Sequence, residues 1–109
     1  MARGSLAILS TENLLHNLSV VAAHASGAKI IAMVKANAYG HGLRSVSLRL
    51  EKYVDSLGVA CIEEAIALRK AGIKIPITLM EGVFEPDELL IAACEKFPVV
   101  FHEPTQLWY

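Results

Sequence analysis

Four short apolar runs, each followed by a segment of helical character, set the tightest limit on what this chain can become. The runs are Ile30–Val34, "SLGVAC", "IPITLM" and "FPVVFH", all of strand length. After the first, Leu43, Val46, Leu50, Tyr53, Val54 and Leu57 form an apolar stripe whose helix is expected to end near Asp55. "IEEAIALRKAG" and "FEPDELLIAACEK" follow the second and third runs, and "EPTQLWY" opens a further helix with proline at its start. The units recur about every 18–27 residues, and serial strand–helix order of this kind builds a parallel sheet covered by helices.

The helix signals are chemically explicit. In "IEEAIALRKAG", Glu63 and Glu64 occupy the first turn, Arg69 and Lys70 the last, and Gly72 follows the end. Each charge complements the nearer pole of the helix dipole. Pro86 suits a first-turn position, with Asp87 and Glu88 behind it. Upstream, Leu6–Leu9 reads as a short strand and Ser10 as an N-cap. Leu14, Leu15, Leu18, Val21, Ala22 and Ala25 then recur at helical spacing, and Gly27 is placed to stop that helix.

Composition narrows the class. Apolar residues make up 54% of the 109 and charged residues 19%, too apolar for a disordered chain. The mean hydropathy of +0.45 suits elements buried on more than one face. A net charge of −1 offers no basic patch, so neither nucleic acid nor a membrane surface is an expected partner. No uncharged apolar run approaches the ~18 residues of a membrane span. The start, "MARGSLAILSTEN", lacks the apolar core and cleavage site of a signal peptide. Cys61 and Cys94 form no Cys-x-x-Cys pair and read as reduced thiols packed as small hydrophobes in a cytoplasmic protein.

Trp108 and Tyr109 fall within the first turns of a helix. A closed (β/α)8 barrel needs eight units and ~250 residues, whereas the chain holds three and the beginning of a fourth. It therefore reads as an α/β piece, a partial (β/α)8 TIM-type barrel; a doubly wound sheet of four strands is the other arrangement of this length. Residues 10–109 are expected to form the truncated barrel portion, and residues 1–9 a separate N-terminal strand.

The chemistry concentrates in "MVKANAYGHG", Met33–Gly42. Strand alternation puts Ile31, Met33 and Lys35 on one face, with Ile30, Ala32 and Val34 opposite. Lys35 ends its strand at the carboxyl edge, where α/β folds place their sites. There it is either a surface cap or a carbonyl-reactive amine, made nucleophilic by partial burial against apolar walls such as Met33. Tyr39 offers a phenol to an anion, Asn37 can bond its own turn, and Gly40 and Gly42 allow tight folding. "YGHG" lacks the longer nucleotide-binding fingerprint.

This segment resembles the pyridoxal-phosphate attachment motif of alanine racemases, V-K-A-N-A-Y-G-H-G, with eight consecutive matches over Lys35–Gly42. "LAILSTENLLHNL" is similar to that family's opening helix, and "GVACIEEAIALRKAGIKIPITLMEG" to its second and third barrel units. The resemblance implies that Lys35 binds pyridoxal 5'-phosphate covalently and serves as the base on one face of alanine Cα. It implies that Tyr39 hydrogen-bonds the cofactor phosphate, and that the full-length protein is a homodimer making D-alanine for peptidoglycan. Met33 stands where many members carry valine. The family's opposite-face tyrosine, its remaining cofactor ligands and the C-terminal β-domain that takes residues 1–9 lie beyond residue 109, so the 109 residues alone are expected to be inactive. Two other readings stay open: a non-catalytic pyridoxal-phosphate homeostasis protein of related fold, and a small α/β binding module with Lys35 as a strand cap.

Other candidates carry less. His16 and His24 are eight apart, not the i, i+4 pair of a helical metal site, and "HEPTQ" lacks the second histidine of H-E-x-x-H. His41 is expected to be structural. Glu63 and Glu64 are assigned to helix-end electrostatics rather than to a catalytic pair. Tyr53 is expected in the core, Trp108 in packing, and neither Tyr53 nor Tyr109 is assigned the opposite-face role.

Overall fold

The structure is a computed structural model that describes residues 4–108. After Ser10 come α1 (Thr11–His24), β1 (Ile31–Met33), a helical turn α2 (Lys35–Tyr39), α3 (Leu43–Leu50), β2 (Ser56–Val59), α4 (Ile62–Lys70), β3 (Ile77–Leu79), α5 (Pro86–Glu95) and a 3-10 helix (Pro104–Trp108). The three strands are parallel in the order β1-β2-β3. Register is fixed by Ala32 opposite Leu57 and Leu57 opposite Ile77.

Alternation along the strands sorts the residues into two faces. Leu57, Val59, Ile77 and Leu79 are fully buried in a cluster with Val34, Ala65, Leu68 and Ile73. The other face carries Ile31, Met33, Gly58 and Met80. A Cβ on Gly58 would lie 2.5 Å from Met33 Sδ and 3.0 Å from Met80 Cγ. Glycine here lets side chains from both flanking strands cross the middle one.

Local chemistry sets the helix ends. Ser10 Oγ accepts the Asn13 amide at 3.1 Å, as an N-cap does. Helix α4 carries its acidic first turn and basic last turn as read from the sequence, and Gly72 follows at φ +96°. Arg69 does more than complement the dipole. Its Nη1 donates to the Ile73 and Ile75 carbonyls at 2.9 and 2.8 Å, and its guanidinium lies over Phe97. Helix α5 has Pro86 in its first turn and a capping box formed by Glu85 and Glu88.

Several expectations fail for identifiable reasons. Within residues 4–9 there is no strand: Leu6 and Ile8 are exposed, and a strand without a neighbouring edge has nothing to bond. The helix after β1 stops at Leu50, not near Asp55, because the Asp55 carboxylate takes the Ile30 amide at 2.7 Å and turns the chain into β2. Tyr53 consequently sits in a turn and is exposed rather than in the core. "FPVVFH" forms only a single bridge, Leu79 with Val99, flanked by the Leu79 amide to Pro98 O and the Val100 amide to Leu79 O. Pro98 has no amide to extend the ladder. Within "EPTQLWY", Pro104–Trp108 forms a 3-10 turn held by buried Gln106, whose Oε1 accepts the His102 amide at 2.9 Å, while Trp108 is exposed instead of packed. Tyr109 lies outside the described residues. Both cysteines are free, but Cys94 is exposed rather than packed.

Candidate functional site at the carboxyl edge of the sheet

Strand β1 ends at Met33, two residues earlier than Lys35, although the Val34 amide still bonds Gly58 O at 2.9 Å. From there the chain enters α2, which is left-handed. Ala36, Asn37, Ala38 and Tyr39 have φ of 52°, 58°, 54° and 55°. L-residues visit this region singly, at about 1–2 kcal/mol each, because Cβ crowds the following carbonyl oxygen. Four in succession need compensation. The Ala38 amide bonds Val34 O at 2.9 Å and the Gly42 amide bonds Asn37 O at 2.9 Å. Asn37 Oδ1 accepts the Leu43 amide at 2.8 Å, so its side chain bonds its own turn as the sequence suggests. Gly40 and Gly42 have φ of +95° and +101°, the conformation glycine tolerates best.

Lys35 therefore stands at the carboxyl end of β1, and its amine is not alone. Nζ lies 3.3 Å from Glu81 Oε1. Glu81 is two residues past β3, just as Lys35 is two past β1, and β2 runs between them. The ion pair thus spans the carboxyl edge of the sheet. The lysine side chain is 35% exposed, held between solvent and protein. Glu81 carries no motif that marks it; only the fold brings it across 46 positions to the lysine.

Tyr39, at the far end of the same turn, is 61% exposed. With Met33 and His41 it lines a cavity of about 420 Å³ whose other wall includes Leu9, Asn13 and Leu14; Lys35 does not line it. The structure thus places Lys35 and Tyr39 on one turn but does not join them in one cavity. Glu64 was read as a helix-end charge only. Its carboxylate does that and more, accepting the Ala60 amide at 2.8 Å through one oxygen and the Ala36 amide at 2.8 Å through the other. Nearby, burial pushes the Cys61 thiol above its usual range; a hydrogen bond from the Glu64 backbone opposes the shift, and the Glu63 and Glu64 carboxylates reinforce it. Among the described residues, no cluster of His, Cys, Asp and Glu could hold a metal ion, and no helix is long and apolar enough to cross a membrane.

A part-buried amine at a sheet's carboxyl edge can condense with a carbonyl compound, and a phenol one turn away can donate to an anion. Known proteins share this arrangement of sequence. The family model described as "Alanine racemase, N-terminal domain" matches residues 9–109. An alanine racemase of Legionella pneumophila (strain Corby) is 46% identical over 107 residues, 98% of this chain and 30% of that protein. One of Haemophilus influenzae is 48% identical over 99 residues, covering 91% and 28%. Among solved structures, the alanine racemase of Acinetobacter baumannii superposes with a TM-score of 0.85 at 42% identity, covering 90% of this chain and 27% of that one. That of Oenococcus oeni does so with a TM-score of 0.83 at 31% identity, covering 91% and 29%. The chain spans about 30% of the length of the curated relatives it matches. A parallel α/β sheet, a lysine turn at its carboxyl edge and a family match across nearly its whole length together assign this chain to the alanine racemase N-terminal domain family.

Proposed function

We propose that these residues form the cofactor-anchoring part of a pyridoxal-phosphate-dependent alanine racemase, the first units of its barrel, acting in a homodimer on L- and D-alanine. The observation that carries this reading is the position of Lys35 Nζ, at the carboxyl edge and 3.3 Å from a carboxylate rather than free in solvent. The residues present fit the cofactor. A primary amine answers its aldehyde, and the exposed phenol of Tyr39 can donate to a phosphate oxygen. When bound, pyridoxal phosphate supplies an electron sink for the pair left at Cα as its proton departs.

The protein's own part is to present and move protons. Lys35 would hold the cofactor through its ε-amine and Tyr39 would donate to its phosphate, while Glu81, 3.3 Å from Nζ, would hold that amine whenever the cofactor does not. The released amine can take or return the proton on one face of alanine Cα. Racemisation needs a second base on the opposite face, and no residue of this chain is given that role. Turnover by the 109 residues alone is accordingly not expected. The full-length product would supply D-alanine for peptidoglycan.

The test is borohydride trapping of pyridoxal phosphate on the full-length gene product, followed by peptide mapping. Label on the peptide containing Lys35, and its loss in Lys35→Ala with the fold retained by circular dichroism, is the expected result. Label at another lysine would refute the assignment.

A further inference from the structure

We propose that Glu64 is a positioning residue for Lys35, a role that rests on the functional reading above. Helix α4 begins at Ile62 after an N-cap at Cys61, which makes Glu64 its third residue. Helix α5 has Glu88 at the matching place after its N-cap Glu85. The two carboxylates behave differently. Glu88 keeps its bonds local: one oxygen accepts the Phe84 and Glu85 amides at 2.6 and 3.2 Å, closing its own helix end. Glu64 divides its oxygens. Oε1 takes the Ala60 amide, the counterpart of Phe84, and Oε2 takes the amide of Ala36, 28 positions upstream.

That second bond reaches the residue following the lysine. The Ala36 N–H belongs to the peptide plane that begins with the Lys35 carbonyl, so fixing it restricts the lysine's ψ and the φ of Ala36. Ala36 is also where the backbone first turns left-handed, at φ 52°. An L-residue released from this tie has a lower-energy right-handed well to fall into. Relaxation there would re-aim the whole turn, and with it the lysine side chain. Both Glu64 oxygens face N–H donors, so only a carboxylate satisfies the pair. A glutamine offers one acceptor and sets its own N–H against the second donor. Glu64 is half-buried, where such a mismatch is felt.

The experiment compares Glu64→Gln with Glu88→Gln in the full-length gene product. Two readings are taken: the rate at which pyridoxal phosphate and borohydride label Lys35, and amide hydrogen exchange at Ala36. Glu64→Gln is expected to slow labelling about tenfold or more and to speed Ala36 exchange by a similar factor, with β2 and β3 protection unchanged. Glu88→Gln loses a comparable helix-end bond and should leave both readings within about twofold of wild type. Glu64→Asp retains the charge but cannot span both amides, and should fall between. Wild-type labelling in Glu64→Gln, or equal loss in Glu88→Gln, overturns the proposal. If Glu64→Gln unfolds, the Asp variant decides, by the same two readings. Wild-type protein labelled at a different lysine would overturn the functional reading instead, and the Ala36 exchange rate would still judge whether Glu64 holds the turn.

Discussion

The left-handed turn makes a prediction whose sign differs from that for an ordinary helix. Ala36 is exposed and makes its contact with Glu64 through the backbone, so Ala36→Gly removes one methyl group and little else. At φ 52°, alanine bears about 1–2 kcal/mol of steric cost that glycine escapes. Against this, glycine gains about 0.4–1 kcal/mol of chain entropy in the unfolded state. The balance runs from neutral to about 1.6 kcal/mol of stabilisation. Ala67 is the matched control, exposed in the interior of right-handed α4. There Ala67→Gly should cost about 0.8–1 kcal/mol. Urea unfolding of both variants of the full-length gene product, at a common slope, should separate them by about 0.8–2.6 kcal/mol in favour of Ala36→Gly. Equal destabilisation of the two would refute the left-handed assignment and with it the account of how Lys35 is presented.

Three further outcomes follow from other contacts. Gly58→Val should destabilise by about 1–3 kcal/mol by overpacking, because its Cβ would lie within 3.0 Å of both Met33 Sδ and Met80 Cγ; a urea midpoint equal to wild type would contradict the close crossing. Arg69→Ala should lose about 2 kcal/mol and Arg69→Lys little less, since an ammonium cannot reproduce the guanidinium's bonds to Ile73 and Ile75 together with its stacking on Phe97; full rescue by lysine would refute this. Iodoacetamide should modify Cys61 slowly at neutral pH and accelerate only above the ordinary thiol range, because burial disfavours its thiolate; rapid neutral-pH alkylation would contradict the shift.

Local signals in the sequence translated well. The Ser10 cap, the charge order of α4 and Pro86 at the start of α5 depend on residues a turn apart, and each appears where its chemistry puts it. The parallel order of the first three strands follows from their helical crossovers. What was not legible is long-range or counter to propensity. Nothing in "KANAY" announces left-handed backbone: only Asn37 tolerates it readily, and the glycines come after the turn. Glu81 and Glu64 resemble any solvated carboxylates until folding sets them against Lys35 and Ala36. The apolar run "FPVVFH" carries strand propensity, yet pairing depends on the neighbours the fold gives it, and it forms one bridge.

Because one carboxylate grips the loops that follow two adjacent strands, those loops cannot drift apart without breaking a bond. For protein engineering this means the ten-residue stretch Met33–Gly42 is not a portable cassette. Grafted onto a foreign scaffold by itself, it would leave behind the helix that dictates its shape; the smallest transferable module runs through the opening turn of α4.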